Sequence, residues 1–127
     1  MKLMAVEIKL GTMEDMRKEV LEAMRKEKGT NKHVIYIPDF SVLSKILSPK
    51  RLELLKAIKD NPSMGVSDLA KLLRRKREAV SRDISFLRHW HIIDTEYQNR
   101  KTTTTAMPEK LVIEISKNRK NEISLDN

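Results

Sequence analysis

The sequence predicts an α+β protein in which a three-helix core and a β-hairpin follow a small strand-helix-strand element. Between residues 48 and 90, three successive stretches carry apolar residues at helical spacing. Two β-branched stretches separated by a polar turn come next, which is typical of a hairpin. Near the N-terminus, apolar and polar residues alternate over residues 4–10, which is typical of a strand.

Residues 1–38 form the predicted strand-helix-strand element. Thr12 is the expected N-cap of its helix, Gly29 is the expected end, and residues 34–37 form the second strand. One face of the helix is apolar, with Met13, Met16, Val20 and Met24. Such an element is too small to be stable alone, so it must pack on the rest of the chain or on a second copy of itself. We expect it to mediate dimerisation or to contact a partner.

The helices of the core are predicted from their capping residues. Asp39 caps a short helix whose apolar side contains Phe40, Leu43, Ile46 and Leu47. Ser48 then caps a second helix, and the proline that follows it suits the first helical position. This second helix has an apolar stripe of Leu52, Leu55 and Ile58, and it stops at the Asp-Asn-Pro sequence of residues 60–62.

Two further helices with a basic turn between them follow. Ser67 is the expected cap of a short helix with Leu69, Leu72 and Leu73 facing inward. Residues 74–76, Arg-Arg-Lys, form the turn. The next helix is predicted over residues 77–90, because Val80, Ile84 and Leu87 are spaced by four and three. This spacing leaves polar and basic residues on or near the opposite face, namely Arg77, Ser81, Arg82, Ser85 and Arg88.

The hairpin consists of a strand over residues 92–98, a turn at Asn99 and Arg100, and a β-branched run that continues past Pro108 to residue 115. Three helices followed by a hairpin is the order of a winged helix-turn-helix, which we assign to residues 39–116. In that fold a helix enters the major groove of DNA. Residues 117–127 are polar and are predicted to be disordered.

The charge distribution favours a nucleic-acid partner. The chain has a formal net charge of +8, which predicts attraction to polyanions. Between residues 71 and 82 there are six basic residues and one acidic residue, Glu78. The positive charge is therefore densest at the turn and the start of the third core helix, where a DNA-docking surface would lie.

Individual residues have predicted roles in DNA binding. Arg82 lies about one and a half turns into the helix, where it can reach a base edge, although an ion pair with Glu78 is the alternative. Ser81 and Ser85 either contact DNA or are simply solvated. The remaining candidates are expected to bind phosphates or to be a solvated charged surface: Arg75, Lys76 and Arg77 at the turn, and Arg100 and Lys101 at the hairpin tip.

Composition argues against other classes of protein. The absence of cysteine excludes disulfides, thiol catalysis and cysteine metal sites. His89 and His91 point to different sides of a helix, so we expect no metal. No glycine-rich phosphate loop or catalytic grouping is present, so we expect neither enzymatic activity nor a cofactor. Without a long apolar run or the apolar core of a signal peptide, the protein is predicted to be cytoplasmic and not membrane-bound.

Residues 39–115 resemble archaeal and bacterial winged-helix transcriptional regulators of the MarR and ArsR type. The similarity is strongest in LSPKRLELL (47–55), VSDLAKLL (66–73) and VSRDISFL (80–87). The strand-helix-strand element resembles that of a small antitoxin-like subgroup. The resemblance implies sequence-specific binding to double-stranded DNA, usually as a homodimer, with repression of a promoter that is often the protein's own.

Such regulators commonly have glycine at the positions of Arg74 and His91. These two residues must therefore adopt a left-handed backbone with some strain, or the chain must turn differently there.

Other functions stay open at this point. One is an antitoxin-type interaction module that holds a small protein partner, such as a toxin, with DNA binding as a secondary activity. Another is non-specific binding to the chromosome or to RNA with the same fold. A repressor that senses a metal or a small molecule is a further alternative.

Overall fold

The computed structural model describes residues 1–26 and 32–114 and shows an α+β fold. The described elements, in chain order, are β1 (Lys2–Leu10), α1 (Met13–Lys26), β2 (Lys32–Ile37), α2 (Phe40–Ile46), α3 (Pro49–Asp60), α4 (Val66–Leu73), α5 (Arg77–His89), β3 (Asp94–Gln98) and β4 (Lys101–Glu114). The predicted strand-helix-strand order at the N-terminus is confirmed. The expected helix end at Gly29, residue 115 of the last strand and the tail at 117–127 lie outside the described residues.

The four strands form one sheet in the order β2-β1-β4-β3. β1 runs parallel to both β2 and β4, and β3 pairs with β4 as an antiparallel hairpin. The N-terminal element therefore shares its sheet with the hairpin, which is how it obtains the packing partner that its small size requires.

β4 is long and irregular. Its register with β1 shifts between Met4 and Ala5, which pair with Pro108 and Lys110 respectively. Pro108 has no amide hydrogen to donate and would interrupt a regular hydrogen-bond ladder between strands. It lies beside the irregularity, where the ladder is already broken. The β-branched run and its continuation past Pro108 thus form a single strand.

The core lies between one face of the sheet and the helices α2 to α5. Its most completely buried members come from both layers: Val6, Ile8 and Ile37 from the sheet, Ile46, Leu54, Ile58, Leu69, Val80 and Leu87 from the helices, and Ile92 from the segment before β3. Alternate residues of β1 and β2 supply the sheet side, as strand periodicity requires.

Three of the predicted helix caps are confirmed. The Asp39 carboxylate accepts a hydrogen bond from the Val42 amide at 3.0 Å. The Ser48 hydroxyl accepts one from the amide three residues later at 3.3 Å. At the start of α1, Thr12 and Asp15 form a reciprocal capping box, in which each side chain accepts from the other residue's amide.

The expected capping role of Ser67 is wrong. The N-cap is Gly65, two residues earlier than expected, so the helix starts at Val66, and Gly65 provides no side-chain cap. Ser67 is already inside the first turn of α4, and its hydroxyl accepts a hydrogen bond from Arg77 Nε at 2.9 Å instead. The serine therefore links α4 to α5.

Three leucine and phenylalanine residues predicted to face the core are exposed. Leu52 in α3 is 45% exposed, Leu72 in α4 is 50% exposed, and Phe40 in α2 is 41% exposed. In α3 the buried leucines are Leu54 and Leu55. An apolar face that includes Leu55 can also include either Leu52 or Leu54. The packing of α3 against the sheet and α4 decides that Leu54 is the buried one.

Candidate nucleic-acid interface

The turn between α4 and α5 contains a residue in the left-handed conformation. Arg74 has φ 54° and ψ 45°, and the Arg75 amide donates to the Ala70 carbonyl at 2.9 Å. This is the hydrogen bond of a helix that ends in a Schellman-type motif, a position that favours glycine. His91 ends α5 in the same way, with φ 60° and a hydrogen bond from the Ile92 amide to the Leu87 carbonyl. The sequence left two alternatives for Arg74 and His91, and the left-handed one is correct.

The outer face of α5 is polar and basic. Val80, Ile84 and Leu87 are buried, whereas five residues on the other side are exposed: Arg77, Ser81, Arg82, Ser85 and Arg88. The alternative of an ion pair between Arg82 and Glu78 does not occur among the described residues. Arg82 is therefore available to a ligand.

Asp83 fixes α5 to the elements around it. Its carboxylate accepts a hydrogen bond from Arg75 Nη2 at 2.7 Å and another from Arg51 Nε at 3.2 Å. Arg75 belongs to the turn before α5 and Arg51 to α3, and all three side chains are largely buried. One carboxylate thus joins three parts of the chain and sets the position of α5 relative to α3.

Arg51 has further contacts that keep it in place. Its guanidinium lies 4.0 Å from the centroid of the Phe86 ring, on the side of α5 next to Asp83. It also donates from Nη1 to the Lys45 carbonyl at the end of α2. These contacts satisfy a cation that is mostly removed from solvent, as a buried charge requires.

The start of α4 and the tip of the hairpin form the walls of a small basic cavity that is partly open to solvent. It has a volume of about 240 Å³ and is lined by the side chains of Ser67, Arg77, Arg100 and Lys101. Asp68 also lines it, so one carboxylate stands against three cations. Because the N-cap Gly65 provides no side-chain cap, the first amides of α4 add a partial positive charge. The cavity is suited to an anion.

Gly65 is needed for steric reasons. A Cβ at this position would lie 2.7 Å from Lys101 Cγ, closer than such atoms approach in proteins. Its φ of −84° is ordinary for any residue, so the requirement comes from the lysine and not from the backbone. Glycine here lets the Lys101 side chain lie across the start of α4.

The hairpin tip is a two-residue turn. Gln98 pairs with Lys101, and the residues between them, Asn99 and Arg100, have φ values of 53° and 62°. Positive φ at both positions is the requirement of a type I′ turn, whose twist matches that of the strands. Arg100 and Lys101 are both exposed beside the cavity.

The structure brings together most of the residues predicted for DNA binding. Arg77, Arg100 and Lys101 meet at the cavity, Lys76 is exposed just before α5, and Ser81, Arg82 and Ser85 continue along the face of the helix. Arg75 is not in this group, because its side chain turns inward to Asp83.

Neither Asp83 nor Gly65 is among the functional residues predicted from the sequence. Asp83 had one signal, since it lies three residues after Val80 and directly before Ile84, on an otherwise apolar helix face where an unpaired carboxylate would be unfavourable. Gly65 had none, because its role depends on a lysine far along the chain.

His89 and His91 make different ring contacts. The His89 ring makes an edge contact with Trp90, whereas the His91 ring contacts His33 at a centroid distance of 6.2 Å. Over residues 1–26 and 32–114, no three histidine or carboxylate side chains are grouped as a metal ion would need. In the same residues no helix has the length and apolar character to cross a membrane.

Residues 46–118 match the HVO_A0114 protein family, and this segment is more than half of the chain. The chain belongs to the HVO_A0114 family. The segment that matches HVO_A0114 contains α3, α4, α5 and the β3–β4 hairpin, and therefore the whole of the basic surface described above. Its boundary excludes the β1-α1-β2 element. A comparison with curated proteins finds no match.

Proposed function

We propose that the protein is a sequence-specific, double-stranded DNA-binding transcriptional regulator with a winged helix-turn-helix fold. In this proposal α4 and α5 are the helix pair, α5 is the recognition helix, and the β3–β4 hairpin is the wing. The order of α3, α4, α5 and the hairpin supports the assignment, as does the sequence resemblance to MarR- and ArsR-type regulators.

The observation that carries the proposal is the cationic surface formed by α5 and the hairpin tip. Five basic residues on it are exposed and form no ion pair with described residues: Lys76, Arg77, Arg82, Arg100 and Lys101. A rigid helix and a tight turn hold these exposed cations on one side of the protein. The phosphates of a DNA backbone would neutralise them.

Two kinds of contact are assigned within this surface. Arg82 and Ser81 read base edges from the middle of the recognition helix, with Ser85 beside them. Lys76, Arg77, Arg100 and Lys101 bind phosphates, and the basic cavity between α4 and the wing receives one phosphate of the backbone. The regulator acts as a repressor at its own or a neighbouring promoter.

The test is binding, measured by fluorescence anisotropy across a salt series. The protein is titrated into the duplex upstream of its own gene and into a scrambled duplex of the same length and composition. We expect a preference for the native duplex that persists as the salt concentration rises, because base contacts depend less on counterion release than phosphate contacts do.

Two results would count against the proposal. Equal binding to both duplexes, lost together as salt rises, would indicate a non-specific coat; a genome-wide selection of bound fragments then shows whether any operator exists elsewhere. No binding to any DNA at low salt would remove DNA as the ligand of this surface.

A further inference from the structure

The helix α1 presents an apolar stripe to solvent. Met13 is 80% exposed and Met24 is 71% exposed, and Val20 and Leu21 between them are about half exposed. These positions recur at the spacing of one helix face, so the four side chains lie on one side of α1, with the exposed Arg17 between Met13 and the other three. Exposed apolar residues that line up in this way mark a contact surface.

The stripe is not the side of α1 that packs on the sheet. α1 is attached through Glu19, whose carboxylate accepts hydrogen bonds from Lys9 of β1 at 2.7 Å and from the Tyr36 hydroxyl of β2. The sheet face below carries Lys9 and Tyr36, opposite to the face that carries the core residues Ile8 and Ile37. The methionine stripe is a second, uncovered side of the same helix.

The charges around the stripe are arranged for a second copy of the same helix. Glu14 lies in the first turn and Arg25 in the last, and three helical turns separate them, so both lie on the same flank of the stripe. When two identical helices pair antiparallel about a two-fold axis, each flank of one helix faces the same flank of the other. The N-terminal end of that flank then lies opposite the partner's C-terminal end. Glu14 of one copy then faces Arg25 of the other, twice.

We propose that the protein forms a homodimer through the stripe of Met13, Val20, Leu21 and Met24, with two α1 helices antiparallel and Val20 near the two-fold axis. Among the residues that the structure describes, Glu14 makes one weak, exposed pair, with Lys18 at 3.8 Å, so it is available to the partner.

The association is tested without DNA, by sedimentation velocity on the full chain over a concentration series. The expected species at high concentration has twice the 14.8 kDa mass of the chain. Val20→Glu places two carboxylates at the axis and should give a monomer at all concentrations. Leu52→Glu, an equally exposed site on α3, is the matched control and should stay dimeric. Circular dichroism confirms that both variants fold.

A charge exchange tests the antiparallel arrangement. Glu14→Arg and Arg25→Glu each place like charges opposite one another at two contacts, so each single variant should raise the dissociation constant about tenfold or more. The double variant restores opposite charges and should dimerise nearly as well as the native chain. Loss of dimer in the double variant, when both singles are folded, would overturn the antiparallel pairing.

A native chain that stays monomeric up to hundreds of micromolar would overturn the inference, and so would a dimer that Val20→Glu does not affect. The dimer itself does not depend on DNA binding. It rests on the proposed function only where it predicts the operator, since two paired recognition helices require an inverted repeat. If the dimer forms but no DNA is bound, the dimer interface is supported and the proposed DNA binding is wrong. If DNA is bound but no dimer forms, the dimer interface is wrong and the regulator acts as a monomer.

Discussion

The Asp83 carboxylate accepts a hydrogen bond from Arg75 Nη2 at 2.7 Å, which ties α5 to the turn that precedes it. Arg75 was a candidate for phosphate contact in the sequence, but in the structure it stabilises the position of α5. Because Arg51 donates to the same carboxylate, a single residue connects the turn, α3 and the proposed recognition helix.

Replacing Asp83 by Asn should destabilise the protein by roughly 1.5 to 3 kcal/mol, the range for hydrogen bonds to charged groups. The amide keeps the shape of the carboxylate but leaves Arg75 and Arg51 without a countercharge in a largely buried site. Urea unfolding followed by the fluorescence of Trp90, the single tryptophan, measures the change. Asp60→Asn, exposed at the end of α3, is the control, and equal effects of the two changes would contradict the role given to Asp83.

Gly65→Ala should weaken DNA binding without much loss of stability. The added methyl group would force the Lys101 side chain away from the start of α4, whereas the backbone at this position accepts alanine. The effect on affinity should match that of Lys101→Ala. In a double-mutant cycle measured by anisotropy, the two changes should not add, because both remove the same lysine from the same place. Additive losses would mean that the two residues act separately.

Arg82→Ala and Lys76→Ala should affect DNA binding in different ways. Loss of a base contact at Arg82 should cost roughly 1 to 3 kcal/mol on the true operator and relax specificity at one position. Loss of a phosphate contact at Lys76 should weaken binding to every sequence alike and lower the salt dependence. Anisotropy titrations of both variants on operator and scrambled duplexes distinguish these outcomes, and uniform losses for both would remove the assignment of Arg82.

Leu54→Ala and Leu52→Ala should differ sharply in stability although the residues are two apart in α3. Leu54 is fully buried, and truncating it should cost about 2 to 5 kcal/mol through lost burial and the cavity left behind. Leu52 is half exposed, and its truncation should change stability by roughly 0.5 kcal/mol or less. Urea unfolding of the two variants measures this difference, and similar losses would mean that α3 is rotated about its axis.

Tyr36 should ionise only in strongly alkaline solution while the protein is folded. Burial raises the pKa of its hydroxyl above the ordinary value of 10, and the hydrogen bond to Glu19 raises it further. In a Tyr97→Phe variant Tyr36 is the single tyrosine, so the phenolate absorbance of this variant reports on it alone. The midpoint should lie above that of the same variant unfolded in urea, and equal midpoints would contradict the buried contact.

The same contact predicts how stability depends on pH. Burial alone lowers the pKa of Lys9, but the hydrogen bond and charge of Glu19 outweigh burial, and the Lys9 pKa is raised overall. For both Lys9 and Tyr36 the folded state holds the proton more tightly than the unfolded chain does. Their contribution is therefore complete below about pH 10 and is lost as the pH rises beyond it. Urea unfolding between pH 8 and 11, compared with a Glu19→Gln variant, should show a smaller decline in the variant.

The local elements of this protein could be predicted from its sequence. Thr12, Asp39 and Ser48 cap helices because a side-chain oxygen and an amide three residues later meet without help from the rest of the chain. The hairpin turn at Asn99 and Arg100 is equally local. Most of the candidate DNA surface was predictable for the same reason, since residues on one helix face follow from spacing alone.

Contacts between distant parts of the chain decided the rest. The sequence does not show that β1 lies between β2 and β4, that Leu54 and not Leu52 faces the core, or that Arg75 turns inward to Asp83. Each depends on how whole elements pack, and periodicity restricts a helix to a face without fixing its rotation against a neighbour. The sequence by itself determined which elements form and where the charge lies, whereas the tertiary structure decided which arginines hold the fold together and which are exposed for a ligand.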